Sequence, residues 1–513
     1  MAPLRPSLVF AGFMGAGKST AARAAGEALG LAAVDTDERL AAALGEPLEA
    51  FFDREGEDAF RAREEAVVLE ALEGARGAPI ALGGGALGSE RVREALARHT
   101  VVWLDVGPAA AWERARRQGG RPLARDRDAF EALHAERLAV YERAADAIVP
   151  DGEPGAVRAA LPFLTALADA PAGTRMVWAR SASGDYPVLA GPALLETGWF
   201  PVPGRRFAVS DRNVWPLHGH HLEPVAGVTL LEPGETAKNL ISAELVWRSL
   251  AQQGATRHDL LVALGGGCVG DVAGFCAATY QRGMRVVQVP TSLVAQVDSA
   301  YGGKTGIDLP EAKNYVGAFH QPAAVLVDPA ALLTLPPEEL AAGYAEVVKT
   351  ALIAGGDLWA RVRDGAGGAA QPEVVLACAR TKLAIVARDE RDAGRRQVLN
   401  LGHTVGHAIE AAAGYGGRYA HGPAVALGLL ASLRLSGQEE LRSEVAQLLA
   451  SHGLPTRLEG VDVGAVLEAL GRDKKRRPEG PVPFVLVHAP GDVREGAEVP
   501  EGEVTAAVRE LAA

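Results

Sequence analysis

Leu8-Val9-Phe10-Ala11-Gly12-Phe13-Met14-Gly15-Ala16-Gly17-Lys18-Ser19-Thr20 is an apolar run, then a glycine-rich turn, then a Lys-Ser pair that opens a helical pattern. The turn has the G-x4-G-K-S spacing, in which backbone N–H groups point at phosphate oxygens and the following helix adds its positive end. On this reading Gly15, Ala16, Gly17, Lys18, Ser19 and Thr20 cradle ATP. Lys18 reaches the β- and γ-phosphates, and the Ser19 hydroxyl ligates Mg2+. A strand that feeds such a turn belongs to an α/β fold with a parallel sheet.

A second glycine turn, Gly265-Gly266-Gly267-Cys268-Val269-Gly270-Asp271, lies far downstream and satisfies G-x-G-x-x-G. That spacing lets backbone approach a dinucleotide pyrophosphate, although the acidic residue usual about twenty positions on is missing. Strands are expected at Leu8–Phe10, Ala32–Val34, Pro79–Leu82 and Val101–Leu104, and again at Arg206–Val209, Val225–Leu230, Leu260–Leu264, Val286–Val289 and Ala324–Val327. Past Pro336-Pro337 the pattern is helical to about Leu470, with a short strand at Pro483–Val487. The expected organisation is a P-loop domain over 1–165, a linker over 166–174 and a Rossmann-like α/β part over 175–330. An all-helical metal- and substrate-binding part follows over 331–513.

A chain of 513 residues exceeds one ordinary core, in keeping with about three domains. The net charge of -12, with no long basic stripe, argues against nucleic-acid binding. Its three cysteines, Cys268, Cys276 and Cys378, have no disulfide or zinc-knuckle spacing, and no apolar run is long enough to span a membrane. The first apolar run leads straight into the phosphate turn, so it reads as a strand rather than a signal core. A cytoplasmic enzyme acting on small molecules is expected.

Around the first turn stand Val34-Asp35-Thr36-Asp37, Phe60-Arg61-Ala62-Arg63-Glu64-Glu65, Leu82-Gly83-Gly84-Gly85, Arg121-Pro122-Leu123, and Arg137 four residues before Tyr141. The two carboxylates at i and i+2 read as one side of a strand end. This ordered set resembles shikimate kinase. The resemblance implies that Asp35 assists Mg2+, that Asp37 grips shikimate hydroxyls and accepts the attacking proton, and that Gly84 lets backbone approach the ring. It also implies that Arg61 and Arg137 bind the carboxylate, a planar group suited to bidentate guanidinium. Arg121 would neutralise the transferring phosphate from a lid.

In the second half, Asn400-Leu401-Gly402-His403-Thr404-Val405-Gly406-His407 puts two histidines at i and i+4 on one helix face, and His421 follows. With an acid on another helix, such a set suggests a catalytic zinc with an open position. From about residue 175 onward the chain resembles 3-dehydroquinate synthase. The resemblance implies Zn2+ (or Co2+) held by Glu346, His403 and His421, with His407 as a neighbouring proton-transfer residue. For NAD+ it implies Glu235, Lys238, Gly267, Cys268, Val269, Gly270, Asp271, Thr291, Ser292, Lys304, Lys313 and Thr334. Asp298, Lys304, Arg396 and Asn400 would act at the substrate, with Arg282, Asn314, Lys349, Lys382 and Lys474 or Lys475 binding it. Ser292, Asp392 and Pro423 stand where threonine and two glutamates are usual, and Ala300-Tyr301 replaces a smaller pair. None of these removes a ligand.

The function expected is a bifunctional enzyme of aromatic biosynthesis: shikimate 3-phosphorylation, and cyclisation of 3-deoxy-D-arabino-heptulosonate 7-phosphate with transient oxidation by NAD+. Synthase relatives imply a homo-oligomer, a dimer through that half. The competing readings are a module kept only for regulation, or a C-terminal unit acting as a related sugar-phosphate cyclase or polyol dehydrogenase. The group His218, His220 and His221, in a Pro/Gly loop, is expected at the surface.

Overall fold

The computed structural model describes residues 6–118, 126–365, 370–414, 417–471 and 482–512. The chain divides into two compact units, Met1–Ala179 with Asp185–Leu189, and Arg180–Gly184 with Ala190–Ala513.

In the first unit, strands β1 (Leu8–Ala11), β2 (Val34–Asp35), β3 (Ile80–Ala81), β4 (Thr100–Asp105), β5 (Ala147–Pro150), β6 (Arg175–Ala179) and β7 (Tyr186–Ala190) lie in the order β2-β3-β1-β4-β5-β6-β7. Pairing is parallel from β2 through β6, with Val9 beside Ile80 on one side and Val101 on the other. Val9, Phe10, Val102 and Leu104 are fully buried, as central parallel strands covered on both faces must be. The order reverses at β1, whose carboxyl end therefore opens a crevice for ligand. The segment expected as a linker closes the helix Pro154–Ala166, makes a 3-10 turn at Leu167–Asp169 and enters β6.

In the second unit, β8 (Arg206–Asp211), β9 (Gly227–Leu231), β10 (Leu260–Gly265), β11 (Arg285–Pro290) and β14 (Ala324–Val327) form a parallel set in the order β14-β11-β10-β8-β9. The switch point falls at β10, and the second glycine turn leaves its carboxyl end. Two antiparallel pairs complete the strands, β12 (Lys304–Leu309) with β13 (Ala312–Phe319), and β15 (Pro483–Ala489) with β16 (Asp492–Glu498). Helices account for most of 337–471, as expected.

Strands β5, β6, β7, β12, β13 and β16 lie outside the segments expected to be extended. The β12–β13 ribbon was hidden by its composition: Gly306 faces Gly317 across the pair. A Cβ on Gly317 would stand 2.3 Å from the Thr305 carbonyl oxygen, so glycine there serves close backbone approach.

Candidate active sites

At the first switch point, Gly12, Gly15 and Gly17 all take positive φ, and a Cβ on Gly15 would lie 2.3 Å from the Ala111 carbonyl. Gly17 then caps the helix Lys18–Leu29, whose first turn holds Lys18, Ser19 and Thr20. Lys18 is buried, and its Nζ donates to the carbonyls of Gly12 at 3.0 Å and Phe13 at 3.1 Å. The ammonium is thus folded over the turn.

One strand-based expectation fails here. Asp35 ends β2, but Asp37 lies in the first turn of the helix Thr36–Leu44, so strand alternation does not relate the two carboxylates. The Asp35 side chain is the reason: its Oδ1 accepts the N–H groups of Asp37 at 3.0 Å and Glu38 at 3.3 Å and starts the helix. Asp37 still faces the glycine turn, since a Cβ on Gly83 would stand 2.8 Å from its Oδ1.

Arg61, Gly84, Arg137 and Tyr141 line a cavity of about 470 Å³. Arg137 donates to the Gly84 carbonyl at 3.1 Å, and the Tyr141 hydroxyl donates to the same oxygen at 2.7 Å. Glu64, for which the resemblance implies no role, is the residue that positions Arg61. Buried on the helix Leu48–Gly74, it accepts from Arg61 Nη1 at 2.6 Å and fixes that guanidinium at the cavity wall. Burial raises the Glu64 carboxyl, with Arg61 opposing. Its place in the Phe60–Glu65 stretch, three residues after Arg61 on one helix face, was the available signal. Arg121 lies outside the described residues.

At the second switch point, the helix Gly267–Thr279 starts immediately after β10. A Cβ on Gly267 would lie 2.9 Å from Ser299 Oγ, and one on Gly270 2.8 Å from Gln288 Oε1, so a larger residue at either position would have to displace those side-chain ends. Around it, Lys238 Nζ pairs with Asp271 at 2.6 Å, Cys268 Sγ donates to Glu235 at 2.8 Å, and Lys313 Nζ stands 3.4 Å from Glu235. Burial would lower the Lys238 ammonium, but Asp271 and Glu235 outweigh it and hold it above its ordinary value. Thr291 donates its N–H to the Gly265 carbonyl at 3.0 Å, and Ser292 Oγ accepts from Ala295 N–H. Asn314, at φ 55°, donates its N–H to Asp308. Val269 packs into the core behind the turn. This cradle suits an anionic dinucleotide.

Asp211 ends β8, and its Oδ1 accepts the N–H groups of Asn213 and Val214, each at 2.8 Å, so it caps the turn that follows the strand. Thr334, expected here too, shares a 3.0 Å hydrogen bond with His218 Nε2. His218 is therefore buried rather than superficial, a correction to the sequence expectation.

Glu346, 0% exposed on the helix Pro337–Ala354, faces two of the histidines expected as its fellow ligands. Its Oε1 lies 3.1 Å from His421 Nε2 and 3.5 Å from His403 Nε2, although 75 residues separate Glu346 from His421. His403 Nδ1 contacts the Leu401 carbonyl at 3.1 Å, which makes Nδ1 the protonated nitrogen and leaves Nε2 as a donor to metal. His407 stands beside them: nitrogens of His403, His407 and His421 lie within 4.8 Å of one another. A carboxylate with converging imidazoles fits Zn2+ or Co2+. Burial opposes the Glu346 charge, but Lys349, His403 and His421 hold its carboxyl well below the usual range.

Lys349 bonds Glu346 and lies 3.5 Å from Asp298 Oδ1, while Lys382 Nζ reaches the same oxygen at 3.0 Å. Asp298 sits on a π-helical turn, Ala295–Ser299, which pushes it out of helical register toward the lysines. Burial works against its charge, yet the two lysines keep its carboxyl at about 2. Lys304 pairs with Asp392, the aspartate in a glutamate position. Arg396 donates to the carbonyls of Gly302 and Glu390, and Asn400 closes the 3-10 turn Arg395–Asn400. Arg282 is not brought to this group within the chain. It is exposed, at φ 66°, beyond the far end of the helix that starts at the glycine turn, roughly 20 Å away by helix rise. Lys474 and Lys475 lie outside the described residues.

The chain matches the family model for 3-dehydroquinate synthase, N-terminal, over 228–342 and C-terminal over 343–476, and that for shikimate kinase over 14–167. It is 44% identical over 326 residues to the 3-dehydroquinate synthase of Nitrobacter winogradskyi, an alignment covering 58% of this chain and 84% of that one. A solved 2-deoxy-scyllo-inosose synthase complexed with carbaglucose-6-phosphate, NAD+ and Co2+ superposes with TM-score 0.59 at 25% identity, over 65% of this chain and 99% of that one. A 2-epi-5-epi-valiolone synthase from Streptomyces hygroscopicus with NAD+ and Zn2+ bound gives TM-score 0.57 at 26% identity, over 64% and 96%. The chain belongs to the 3-dehydroquinate synthase family, with a shikimate kinase domain fused ahead of it.

Proposed function

We propose that this chain carries out two separate reactions of aromatic biosynthesis. The first unit phosphorylates the 3-hydroxyl of shikimate with ATP and Mg2+. The second converts 3-deoxy-D-arabino-heptulosonate 7-phosphate to 3-dehydroquinate and phosphate with NAD+ and Zn2+ or Co2+. The observation that carries the reading is the convergence of Glu346, His403 and His421 against the Lys349–Asp298–Lys382 cluster, on the same chain as the Gly12–Ser19 turn. The proposed boundaries remain 1–165, 166–174, 175–330 and 331–513.

In the kinase, Arg61 and Arg137 hold the substrate carboxylate, and Glu64 keeps Arg61 from turning away. Asp37 accepts the proton of the attacking hydroxyl, and Lys18 swings from its two carbonyl acceptors onto the phosphates as they arrive. Asp35 and Ser19 hold Mg2+.

In the synthase, the metal and NAD+ supply Lewis acidity and a hydride acceptor that is restored in each turnover. Glu346, His403 and His421 hold the metal, and the Gly267–Asp271 turn with Glu235, Lys238 and Lys313 holds the dinucleotide. Lys349, Lys382 and Lys304 meet the substrate's anionic groups, and Asp298 sets where the first two point. Arg396 and Asn400 favour a carboxylate-bearing substrate over a sugar phosphate that lacks a carboxylate. His407 moves protons beside the ligands. A dimer through this half agrees with Leu240, Ile241 and Leu245 lying exposed on one helix, and a cytoplasmic setting agrees with three free cysteines.

The test is a two-substrate assay on the purified chain. Shikimate with ATP should yield ADP, and heptulosonate phosphate should release phosphate with no build-up of NADH. Lys18→Ala should silence only the kinase and His403→Ala only the synthase. NADH accumulating in step with substrate would replace the cyclase by a dehydrogenase, and a single change silencing both activities in folded protein would end the independence of the sites.

A further inference from the structure

Glu410 is a buried acid to which neither reaction has yet given a task. It lies on the helix His403–Ala412, seven residues after His403 and three after His407, hence on the face that carries both. Its side chain is only 2% exposed, and its two oxygens point to different sites. Oε1 accepts from Lys313 Nζ at 3.2 Å, and Lys313 in turn stands 3.4 Å from Glu235 at the glycine turn. Oε2 lies 3.7 Å from His421 Nδ1, while Nε2 of the same ring faces Glu346 at 3.1 Å.

An imidazole binds metal through one nitrogen only if the other keeps the proton, so whatever accepts from the second nitrogen fixes the tautomer and the ring plane. For His403 that acceptor is the Leu401 carbonyl. For His421 the carboxylate facing Nδ1 is that of Glu410, 3.7 Å away and thus just beyond hydrogen-bond length, and a carboxylate also makes the ring a stronger donor. Burying an acid among apolar helices is costly unless polar groups face both oxygens, and here one such group comes from each cofactor region, the Lys313 ammonium and the His421 ring.

We infer that Glu410 is a positioning residue shared by the two cofactor sites: one oxygen sets His421 toward the metal, and the other holds Lys313 at the dinucleotide. The inference rests on the metal and NAD+ sites proposed above. It gives those sites a common rigid element, so that by reciprocity occupancy of either favours the other.

The experiment uses the full chain freed of metal with a chelator, then titrated with Co2+ in competition with a chromophoric chelator, and separately with NAD+. Glu410→Gln keeps the shape and removes the charge. It should weaken Co2+ binding about 10–100-fold, shift the visible Co2+ absorption band, and weaken NAD+ binding in the same preparation. Lys313→Met should weaken NAD+ while leaving the Co2+ band where it is. Glu410→Asp, which keeps the charge but falls short of the ring, covers the case in which the glutamine variant does not fold, and should also weaken Co2+. If Glu410→Gln binds Co2+ with the parent's affinity and spectrum while His421→Ala does not, the metal site stands and the role of Glu410 falls. A lowered melting temperature with an unchanged Co2+ band would likewise reduce Glu410 to a structural residue. If His421→Ala binds Co2+ as the parent does, the underlying ligand set is wrong instead.

Discussion

Breaking the Lys238–Asp271 pair should damage the second unit even before any ligand is considered. The two side chains are 6% and 21% exposed and meet at 2.6 Å. At an effective dielectric of 20 that separation corresponds to a gross attraction of about 6 kcal/mol, most of which is offset by taking both charges out of water. Removing one partner strands the other, so Asp271→Asn or Lys238→Met alone should each cost about 3–5 kcal/mol. The double variant strands neither charge and should cost less than the two singles together by about 2–3 kcal/mol. The assay is urea unfolding of all four proteins at neutral pH without added dinucleotide, so that ligand linkage does not enter. Additive costs would refute the argument, because the contact would then carry no coupling. Costs below about 1 kcal/mol for both singles would show that water reaches the pair.

Asp259, bonded by Arg205 through two nitrogens and by Thr256, has its carboxyl lowered to about 2. A lowered carboxyl stabilises the fold at pH values above its ordinary pKa, and that contribution fades as pH falls from about 4 toward 2. Asp259→Asn should therefore cost about 1–2 kcal/mol at pH 7 after allowance for the half-exposed guanidinium, and the gap in urea midpoints should close on acidification. Burial and then Glu235 raise the Cys268 thiol well above its ordinary value. Alkylation at pH 8, followed by mass spectrometry, should be at least about tenfold slower than for a free thiol, and Glu235→Gln should speed it; rapid labelling of the parent would contradict both. Gly15→Ala combines a left-handed backbone with a 2.3 Å approach to the Ala111 carbonyl. It should abolish ATP binding and lower the first unit's melting temperature, with synthase turnover preserved.

Much of both sites could be read in the sequence because glycine turns announce themselves locally. The run from Leu8 to Thr20 contains its own strand, turn and helix start, and the structure keeps all three. Long-range assembly was different in kind. Nothing in the spacing of Glu346 and His421 says that they will touch; the family resemblance supplied that pair, and helix packing brings it about. Asp37 was misplaced because Asp35 reads equally well as a strand end and as a helix cap, and hydrogen bonding decided for the cap. Glu64 stands inside the Phe60–Glu65 stretch and Glu410 shares the helix of His403 and His407, yet neither pattern states a role for the acid. Each matters through a neighbour, and a linear pattern does not record neighbours. The β12–β13 ribbon was not evident because glycines and charges interrupt its Thr305, Ile307, Tyr315 and Val316.

The pairing of the pocket lysines has a consequence for selectivity. Lys238, Lys304, Lys313, Lys349 and Lys382 each already face a carboxylate of the protein itself. An arriving anion therefore does not enter a bare positive field; it must exchange with an internal counter-ion. A stray sulfate or phosphate gains little from such a swap, because it replaces one anion by another. A ligand that brings several anionic and hydroxyl groups at the right separations can exchange at several lysines at once, and only that multiple exchange is favourable. On the function proposed, the second unit would work as an ion exchanger tuned to the spacing of charges on its substrate and dinucleotide, and an acidic protein could keep a lysine-rich pocket without collecting whatever anions surround it.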